Sequence, residues 1–335
     1  MSRRRRTATA TTGPALVGTA RVDRRTKNLV KRLRPGEIAV IDHEDLDRVA
    51  AETLVECAPT AVVNASSSIS GRYPNVGPLL LAAAGIPLLD GVGSSVLDAV
   101  AEGQTVRVDG DRLLLDGEVV ATGRRHTLET LEAAYDEAER NMGAELERFV
   151  ENTVAYIVEE APLFTRGGLD VPDIPVDLRG RHVLIVVRGH DYRDDLLLLR
   201  RSGYLGDKRP VLVGVDGGAD ALLEMGYKPD LIIGDFDSVS TRALRSGAEL
   251  IVHAYPGGRA PGAARLDDEG VPYRKLEAAG TSEDIAMLLA YEEGAELIVA
   301  VGTHATLVEF LDKGRGGMAS TFLTRLRLGG KLVDA

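Results

Sequence analysis

The sequence predicts an α/β protein with a small amino-terminal α/β domain and a second domain built on a doubly wound, mostly parallel sheet, the two joined by a long helix. Short apolar stretches alternate with stretches of helical spacing, which is the pattern of α/β sheets. Several apolar stretches in the second half end in an acid or a glycine pair, as strands leading into a ligand crevice do. A long amphipathic segment separates the halves, and 335 residues allow each half to bury its own core.

The composition is typical of a soluble globular protein. Hydrophobic residues make up 44% and charged residues 27%, and the net charge of −11 argues against a general nucleic-acid binder. Cys57 is the single cysteine, so no internal disulfide is expected and a reducing cytoplasm fits. No apolar run approaches the ~20 residues that a membrane helix needs. The basic start predicts a flexible tail over residues 1–35.

A small α/β domain is predicted over residues 36–126. Its apolar patterns indicate strands and helices in alternation, namely strands at 37–41, 60–64 and 86–89 and helices at 46–57 and 79–84. Segments at 104–108, 112–115 and 118–121 then alternate around Asp-Gly pairs, which predicts antiparallel hairpins. This order resembles the swivelling phosphohistidine domain of phosphoenolpyruvate-using enzymes. The loop at 66–78 contains no histidine, so phosphoryl carriage there is not expected. The loop Asn64–Tyr73, rich in hydroxyl groups and containing Arg72, either binds an anion or a partner or is an ordinary polar surface loop.

A long helix is predicted over residues 127–161. Apolar residues recur at three- and four-residue steps from Leu128 to Ile157, which is the spacing of one stripe along a helix. Thr127 is expected to cap it, with Thr130 at the third helical position, and Pro162 to end it. At ~1.5 Å per residue such a helix spans on the order of 50 Å, more than one small domain can bury. We expect it to connect the domains and to form a homodimer through residues 127–160.

Residues 162–180 are rich in proline and glycine and predict a linker, and the second domain is expected over residues 181–335. Its strands are expected at 182–187, 211–215, 231–233, 249–254, 271–276 and 297–301, with helices between them. Asp235 and Asp237 follow the third of these strands. Since residues two apart in an extended chain point the same way, this pair is expected to converge on one cation.

The strand at 211–215 repeats this design and ends in Asp216, before Gly217, Gly218 and Asp220. Ligands bind beyond the carboxyl ends of strands in open parallel sheets. Carboxylates for Mg²⁺ beside amides for phosphate are the components of a nucleotide site. The alternative interpretation is that Asp216 and Asp237 cap helices and that Asp235 is a solvated loop acid.

The motifs DGGAD at 216–220, PDLIIGDFDS at 229–238 and Ser282-Glu283-Asp284 together resemble the catalytic domain of thiamine pyrophosphokinases. The resemblance implies that Asp216, Asp235, Asp237 and Asp284 are catalytic carboxylates for Mg²⁺ and ATP or another nucleoside phosphate, the first three as metal ligands. Further contacts to the nucleotide are expected from Arg188, Gly217, Gly218, Asp220, Ser238, Thr281, Ser282, Thr303, His304, Arg315 and Gly316.

Three departures argue against thiamine as the substrate. Members of that family carry a β-sandwich that shapes the thiamine pocket, and too few residues follow Phe310 to build one. Met287 stands where the family's Thr-Asp-x-x-Lys motif has its lysine. The family's Gly-Gly-Arg…Asp-His run is expected after the penultimate strand, but only Val301-Gly302-Thr303-His304 stands there. A Gly-Arg-Gly-Gly run follows later in the chain, at residues 314–317.

The whole chain resembles SteA-like bacterial cytokinetic-ring proteins, through NASSSISGRYPNVGP at 64–78, the long helix and the pyrophosphokinase-like half. The resemblance implies a cytoplasmic protein at the inner face of the membrane at the division site, with division proteins as partners. Members of that family continue into a carboxyl-terminal membrane segment. We therefore expect this chain to be a truncated part of such a protein, with membrane contact only through the segment it lacks.

Functions of different classes remain open. The favoured one is a division-associated scaffold or switch that binds Mg²⁺-nucleotide and transmits its state through the long helix. The alternative is an active ATP-dependent diphosphokinase that acts on a small hydroxyl substrate, since pyrophosphoryl transfer needs mainly metal, positioning and charge stabilisation. A third is a dimeric adaptor with a vestigial pocket.

Overall fold

The computed structural model describes residues 15–165, 169–303, 306–312 and 314–335. The predicted α/β class is confirmed. The chain divides into two compact units, Met1–Leu146 with Leu311–Gly314, and Glu147–Phe310 with Arg315–Ala335. No helix in the described part of the chain is long and apolar enough to cross a membrane.

The first unit is built on one mixed sheet. Its strands are β1 (Leu16–Asp23), β2 (Ile38–Ile41), β3 (Ala61–Asn64), β4 (Leu88–Asp90), β5 (Thr105–Asp109), β6 (Arg112–Leu115), β7 (Glu118–Thr122) and β8 (Arg124–Arg125). Its helices are α1 (Thr26–Leu29), α2 (Arg48–Cys57), α3 (Gly77–Ala83) and α4 (Val96–Ala99). The sheet order is β7-β6-β5-β1-β2-β3-β4-β8, in which β1 to β4 are parallel and the outer strands antiparallel.

The prediction of a flexible tail as far as residue 35 is wrong for its second half. Leu16–Asp23 forms β1 between β5 and β2, with Ala20 fully buried. The basic residues that suggested a solvated segment are paired: Arg21 with Glu37 at 2.6 Å, and Arg32 with Glu102 at 2.9 Å. Their charge is neutralised by acids of neighbouring elements, so it does not prevent a central strand. Residues 1–14 lie outside the described residues.

The predicted long helix is present as α5 (Leu128–Thr165). Thr127 caps it as expected, since its Oγ1 accepts a hydrogen bond from the Thr130 N–H at 3.3 Å. The Thr127 N–H in turn donates to Thr130 Oγ1 at 2.9 Å, so threonine completes the reciprocal arrangement that glutamate usually provides. The expected end at Pro162 is wrong, because helical geometry continues to Thr165.

The second unit is a parallel sheet with helices on both faces. Its strands are β9 (His182–Val187), β10 (Val211–Val215), β11 (Leu231–Gly234), β12 (Glu249–Ala254), β13 (Arg274–Glu277), β14 (Leu297–Val301) and β15 (Leu332–Asp334). Its helices are α6 (Tyr192–Arg201), α7 (Tyr204–Lys208), α8 (Gly218–Glu224), α9 (Thr241–Leu244), α10 (Ala263–Glu269), α11 (Ser282–Glu292), α12 (Leu307–Asp312), whose last residues lie in the first unit, and α13 (Ala319–Leu328).

The strand order β13-β12-β11-β10-β9-β14-β15 makes this sheet doubly wound, as predicted. The chain moves outward from β9 to β13 and then returns to place β14 on the other side of β9, and β15, which the sequence did not predict, extends that side. One face packs on α11, which is buried from Glu283 to Ala290. Strand residues of the other face pack with apolar residues of α6 to α10. The carboxyl ends of β9 to β12 therefore lie along one rim.

Candidate functional site

Asp216 and Asp235 lie side by side at this rim. Asp216 follows β10 and Asp235 follows the adjacent parallel strand β11, and their side chains hydrogen-bond to each other. Burial and the charge of Asp235 raise the pKa of Asp216 to about 7, from the ordinary value of 3.8. Two carboxyl groups this close cannot both be ionised at low cost, so the pair holds a proton or takes up a cation.

The backbone around Asp216 is shaped to hold this carboxyl group in place. Asp216 adopts a left-handed conformation, with φ of 48°, which turns the chain sharply at the end of β10. Its Oδ1 accepts a hydrogen bond from the Phe236 N–H at 2.9 Å. Gly234 makes room, because a Cβ there would lie 2.0 Å from Asp216 Oδ1.

The expectation that Asp235 and Asp237 point the same way because they lie two apart in an extended chain is wrong in its premise. β11 ends at Gly234, and Phe236 has a φ of 60° with its ring fully buried among α8, α9 and α10 residues. The Asp237 N–H donates to Asp235 Oδ1 at 3.0 Å, which closes a tight turn. Asp235 is half-buried at the rim, whereas Asp237 is exposed.

Arg265 is a positioning residue that the sequence did not reveal. Its guanidinium, on α10, donates hydrogen bonds to the carbonyl oxygen of Phe236 and, at 2.5 Å, to that of Val239. The loop that carries Asp235 is therefore tied from both sides, to Asp216 at its start and to Arg265 at its end. Gly262 packs directly on this loop, since a Cβ there would lie 2.3 Å from the Asp235 carbonyl oxygen.

Asp284 lies fully buried between the first turns of α11 and α13. Its Oδ2 accepts hydrogen bonds from Thr281 Oγ1 and Ser320 Oγ, both at 2.8 Å, and Thr281 and Asp284 form a capping box. Its Oδ1 is buried without a hydrogen-bond partner. Burial and the charge of Glu283 raise the pKa of Asp284. A buried, unsatisfied carboxylate oxygen is costly unless a ligand completes it.

His253, in β12, lies close enough to Asp235 and Asp284 for both charges to act on its ring. It was not among the predicted site residues. Burial lowers the pKa of this ring. Its Nδ1 lies 3.4 Å from Ser282 Oγ and its Nε2 lies 3.2 Å from the Ala278 carbonyl oxygen. A carbonyl only accepts, so Nε2 carries the proton. The signal that sequence analysis missed was a histidine near the end of an apolar strand next to β11.

Arg188 follows β9 at the same rim. Its guanidinium donates to Glu224 Oε1 at 3.0 Å and to the Tyr192 hydroxyl at 3.3 Å. Arg193 also lies against the Tyr192 ring, with its guanidinium carbon 5.6 Å from the centroid. The Arg188 stem passes Gly217, where a Cβ would approach it to 2.9 Å. Arginine is suited to gripping phosphate oxygens.

Several other predicted site residues lie at or next to the starts of α8, α9 and α11. Gly217 and Gly218 start α8, and Ser238 Oγ lies 3.6 Å from the position of a Gly217 Cβ. Asp220 accepts hydrogen bonds from the Ser240 hydroxyl and, at 2.9 Å, from its N–H, so it holds the start of α9. Thr281 and Ser282 begin α11 beside Asp284.

Thr303, Arg315 and Gly316 are engaged within the fold. Thr303 donates to Asp334 at 3.1 Å, Arg315 pairs with Glu283 at 2.8 Å, and the Gly316 carbonyl accepts from Asn152 at 3.1 Å. The structure thus brings Asp216 and Asp235 into contact and places His253 within electrostatic range of Asp235 and Asp284. Thr303, Arg315 and Gly316 contact Asp334, Glu283 and Asn152 instead of this acidic pair. His304 lies outside the described residues.

The donor set fits magnesium held jointly with a phosphate ligand. In the described ranges, no group of three or more His, Cys, Asp or Glu side chains is arranged to hold a metal ion by itself. Magnesium, however, is usually bound by one or two carboxylates together with substrate phosphates and water. Asp216 and Asp235 supply such a pair, in which burial and the neighbouring charge of Asp235 raise the pKa of Asp216.

Comparisons with known proteins place a family resemblance on this part of the chain. Residues 203–254 match the model of the thiamin pyrophosphokinase catalytic domain. The search of curated proteins returned no match. Among solved structures, thiamine pyrophosphokinase of Bacillus subtilis aligns at 20% identity and a TM-score of 0.27, over 46% of this chain and 60% of that one.

A protein from Lactobacillus plantarum aligns at 18% identity and the same TM-score of 0.27, over 47% of this chain and 61% of that one. The chain thus spans less than two thirds of the length of either structure. The segment that carries Asp216, Asp235 and His253 is similar to the catalytic domain of thiamin pyrophosphokinase.

Proposed function

We propose that the second unit binds a magnesium–nucleoside polyphosphate at the carboxyl rim of β9 to β12. The observation that carries this proposal is the Asp216–Asp235 pair, in which burial and mutual repulsion raise the pKa of Asp216 to about 7. A divalent cation bound by the pair would relieve that repulsion, and phosphate oxygens would supply further ligands. The family match over residues 203–254 supports the same chemistry.

The residues around the pair have complementary roles. Asp216 and Asp235 would hold Mg²⁺, which would neutralise phosphate charge. Arg188 and Arg193 supply the positive charge on the β9 side of the rim, where polyphosphate oxygens are stabilised. Asp284 and its capping partner Thr281 keep the amino end of α11 facing the site. Asp237, exposed beside Asp235, is proposed as a ligand through water.

We propose that binding serves a scaffold or switch, in line with the resemblance to SteA-like cytokinetic-ring proteins. Supporting this, Met287 is buried in α11 at the position where the pyrophosphokinase motif has a lysine. A buried thioether offers no charge to a transferring phosphoryl group. α5 contributes residues to both units, so it is the element through which the state of the site reaches the first unit.

The homodimer through α5 is a second part of this proposal. Val150, Val154 and Val158 recur every four residues on this helix and are 49%, 56% and 73% exposed. Such a stripe is suited to pairing with a second copy. Val154→Glu is expected to convert a dimer into a monomer in sedimentation, while Glu151→Gln, a neighbouring change off the stripe, leaves it a dimer.

Calorimetry with Mg²⁺-ATP and Mg²⁺-GTP tests nucleotide binding directly. The wild-type chain is expected to bind at micromolar or weaker affinity, and Asp216→Asn and Asp235→Asn to lose binding. Asp268→Asn, an exposed acid on α10, is the matched control and keeps it. Absence of binding by the wild-type chain rejects the proposal.

The diphosphokinase alternative is favoured by the same family match and is separated from the scaffold by turnover. In that reaction a substrate hydroxyl attacks the β-phosphorus of ATP, AMP leaves and the hydroxyl proton passes to solvent or a carboxylate. Thiamine diphosphate and AMP production that disappears in Asp235→Asn would establish an enzyme. Nucleotide binding without turnover supports the switch, whose cell-division role is tested by imaging a labelled chain at the division septum.

A further inference from the structure

Tyr255 is an exposed aromatic residue beside the acidic rim. It directly follows β12 and is 45% exposed. Aromatic residues make up 4% of the chain and there is no tryptophan, so large planar surfaces are scarce. An exposed ring next to a polyphosphate site is well placed for a stacking partner, because every nucleobase presents a π-face.

The ring lies on the site face of the sheet. Ile251 belongs to the core under α11, and alternation along β12 puts His253 and Tyr255 on that same face. The rings of His253 and Tyr255 are 5.1 Å apart between centroids, with an interplanar angle of 58°. His253 itself is within electrostatic range of Asp235 and Asp284. Tyr255 therefore lies beyond His253 toward the carboxyl end of β12, on the side of His253 that faces solvent.

The loop that carries Tyr255 is closed on itself. The Tyr255 N–H donates to the Arg259 carbonyl at 2.9 Å, and the Gly258 N–H donates to the Tyr255 carbonyl at 2.9 Å. The Gly257 N–H is bound by Glu277 Oε1 at 2.8 Å, which ties the loop to β13. These bonds hold the backbone of the loop in place before any ligand arrives, so little ordering entropy of the backbone is lost on stacking.

Arg259 places a positive charge beside the Tyr255 ring. Its guanidinium carbon lies 5.8 Å from the centroid of the Tyr255 ring. The side chain is exposed and makes no ion pair with any described residue. A guanidinium stacks on aromatic planes and donates hydrogen bonds to ring nitrogens and carbonyl oxygens. Tyr255 and Arg259 together match a flat, polar heterocycle.

The spacing of the strands gives the distance between Tyr255 and the Asp216–Asp235 pair. Neighbouring strands are ~4.8 Å apart, so the ends of β10 and β12 are separated by ~10 Å. A nucleotide whose phosphates lie at Asp216 and Asp235 therefore has room to reach Tyr255 with its base. We propose that Tyr255, with Arg259, is the stacking platform for the base of the nucleotide. This inference rests on the proposed function.

The absence of native tryptophan gives a sharp test. Tyr255→Trp introduces a single tryptophan, whose emission is expected to be quenched by Mg²⁺-ATP through stacking and not by Mg²⁺-tripolyphosphate, which has no base. Tyr273→Trp is the matched control, because residue 273 lies at the amino end of β13, on the opposite rim, and its emission is expected to stay unchanged.

Affinity separates stacking from phosphate binding. Tyr255→Ala is expected to weaken Mg²⁺-ATP about tenfold, as loss of one stacking contact does, and to leave Mg²⁺-tripolyphosphate affinity unchanged. Tyr255→Phe keeps the ring and is expected to retain ATP affinity. Equal ATP affinity in wild type and Tyr255→Ala, with no quenching at position 255, overturns the platform while the metal–phosphate site stands. If the wild-type chain binds neither ATP nor tripolyphosphate, the site itself is refuted.

Discussion

Asp216 Oδ1 accepts a hydrogen bond of 2.9 Å from the backbone N–H of Phe236. The acid at the end of β10 is thereby held by the loop at the end of β11. Because the Asp216 amide also donates to the Ile233 carbonyl at 3.0 Å, the two loops form one unit. Changes in either loop are expected to affect the same carboxyl pair.

Gly234→Ala is expected to disrupt the site more than the fold. The new Cβ would lie 2.0 Å from Asp216 Oδ1, so the carboxyl group must move. Displacing an orienting contact of this kind lowers metal affinity about 10- to 100-fold, which calorimetry with Mg²⁺-ATP measures. Gly226→Ala is the control. Its φ is 84° and nothing lies within 4 Å, so only the left-handed backbone opposes the change, which is expected to cost about 1–2 kcal/mol of stability and leave binding intact. Equal binding by both variants contradicts the role given to Gly234.

The stability of the ligand-free protein is expected to fall as the pH rises. The pKa of Asp216 is raised in the folded state to about 7 from 3.8, so its protonated form favours folding. That contribution is complete below about pH 4 and is lost as the pH passes through about 7. Thermal unfolding at pH 5 and pH 8 should show a larger loss in wild type than in Asp216→Asn, which cannot ionise. Asp268→Asn should behave as wild type, and parallel pH profiles for all three proteins would refute the assignment.

Arg265→Gln is expected to loosen the loop that carries Asp235. The variant loses charge-assisted hydrogen bonds to the carbonyls of Phe236 and Val239, a cost of about 1–3 kcal/mol. Chemical denaturation measures this cost, and nucleotide affinity is expected to fall with it. Arg245→Gln removes an exposed pair with Glu269 and should cost under about 1 kcal/mol. A larger loss for Arg245→Gln than for Arg265→Gln would be inconsistent with the positioning role.

Asp284→Ala is expected to destabilise the second unit through the α11–α13 contact. It leaves the hydroxyls of Thr281 and Ser320 without their acceptor, at a cost of about 1–3 kcal/mol. Ser320→Ala removes only one of these bonds and is expected to cost about 1 kcal/mol. The ordering of the two variants in urea denaturation is the check. Asp284→Ala with wild-type stability would contradict the structural part of this role.

Much of the second unit was predictable from local pattern. Apolar runs such as His182–Val187 and Leu297–Val301 are buried on both faces, and such runs read as parallel strands without reference to the rest of the chain. β1 was missed because Arg21 and its basic neighbours resemble a solvated tail. Their partners Glu37 and Glu102 are distant in sequence, so the neutralisation is visible only in the fold. Similarly, the positive φ of Phe236 depends on the core that buries its ring.

The sequence alone determined the α/β class, the long helix and the position of Asp216 and Asp235 at the ends of apolar strands, because periodicity and strand-end residues are local properties of the chain. The tertiary structure alone decided which of these acids meet and which neighbours they have. Burial, the Asp216–Asp235 contact, the Arg265 bonds to the loop and the approach of His253 all join segments remote in sequence. The energies of charge and desolvation depend on such distances, which no local pattern contains.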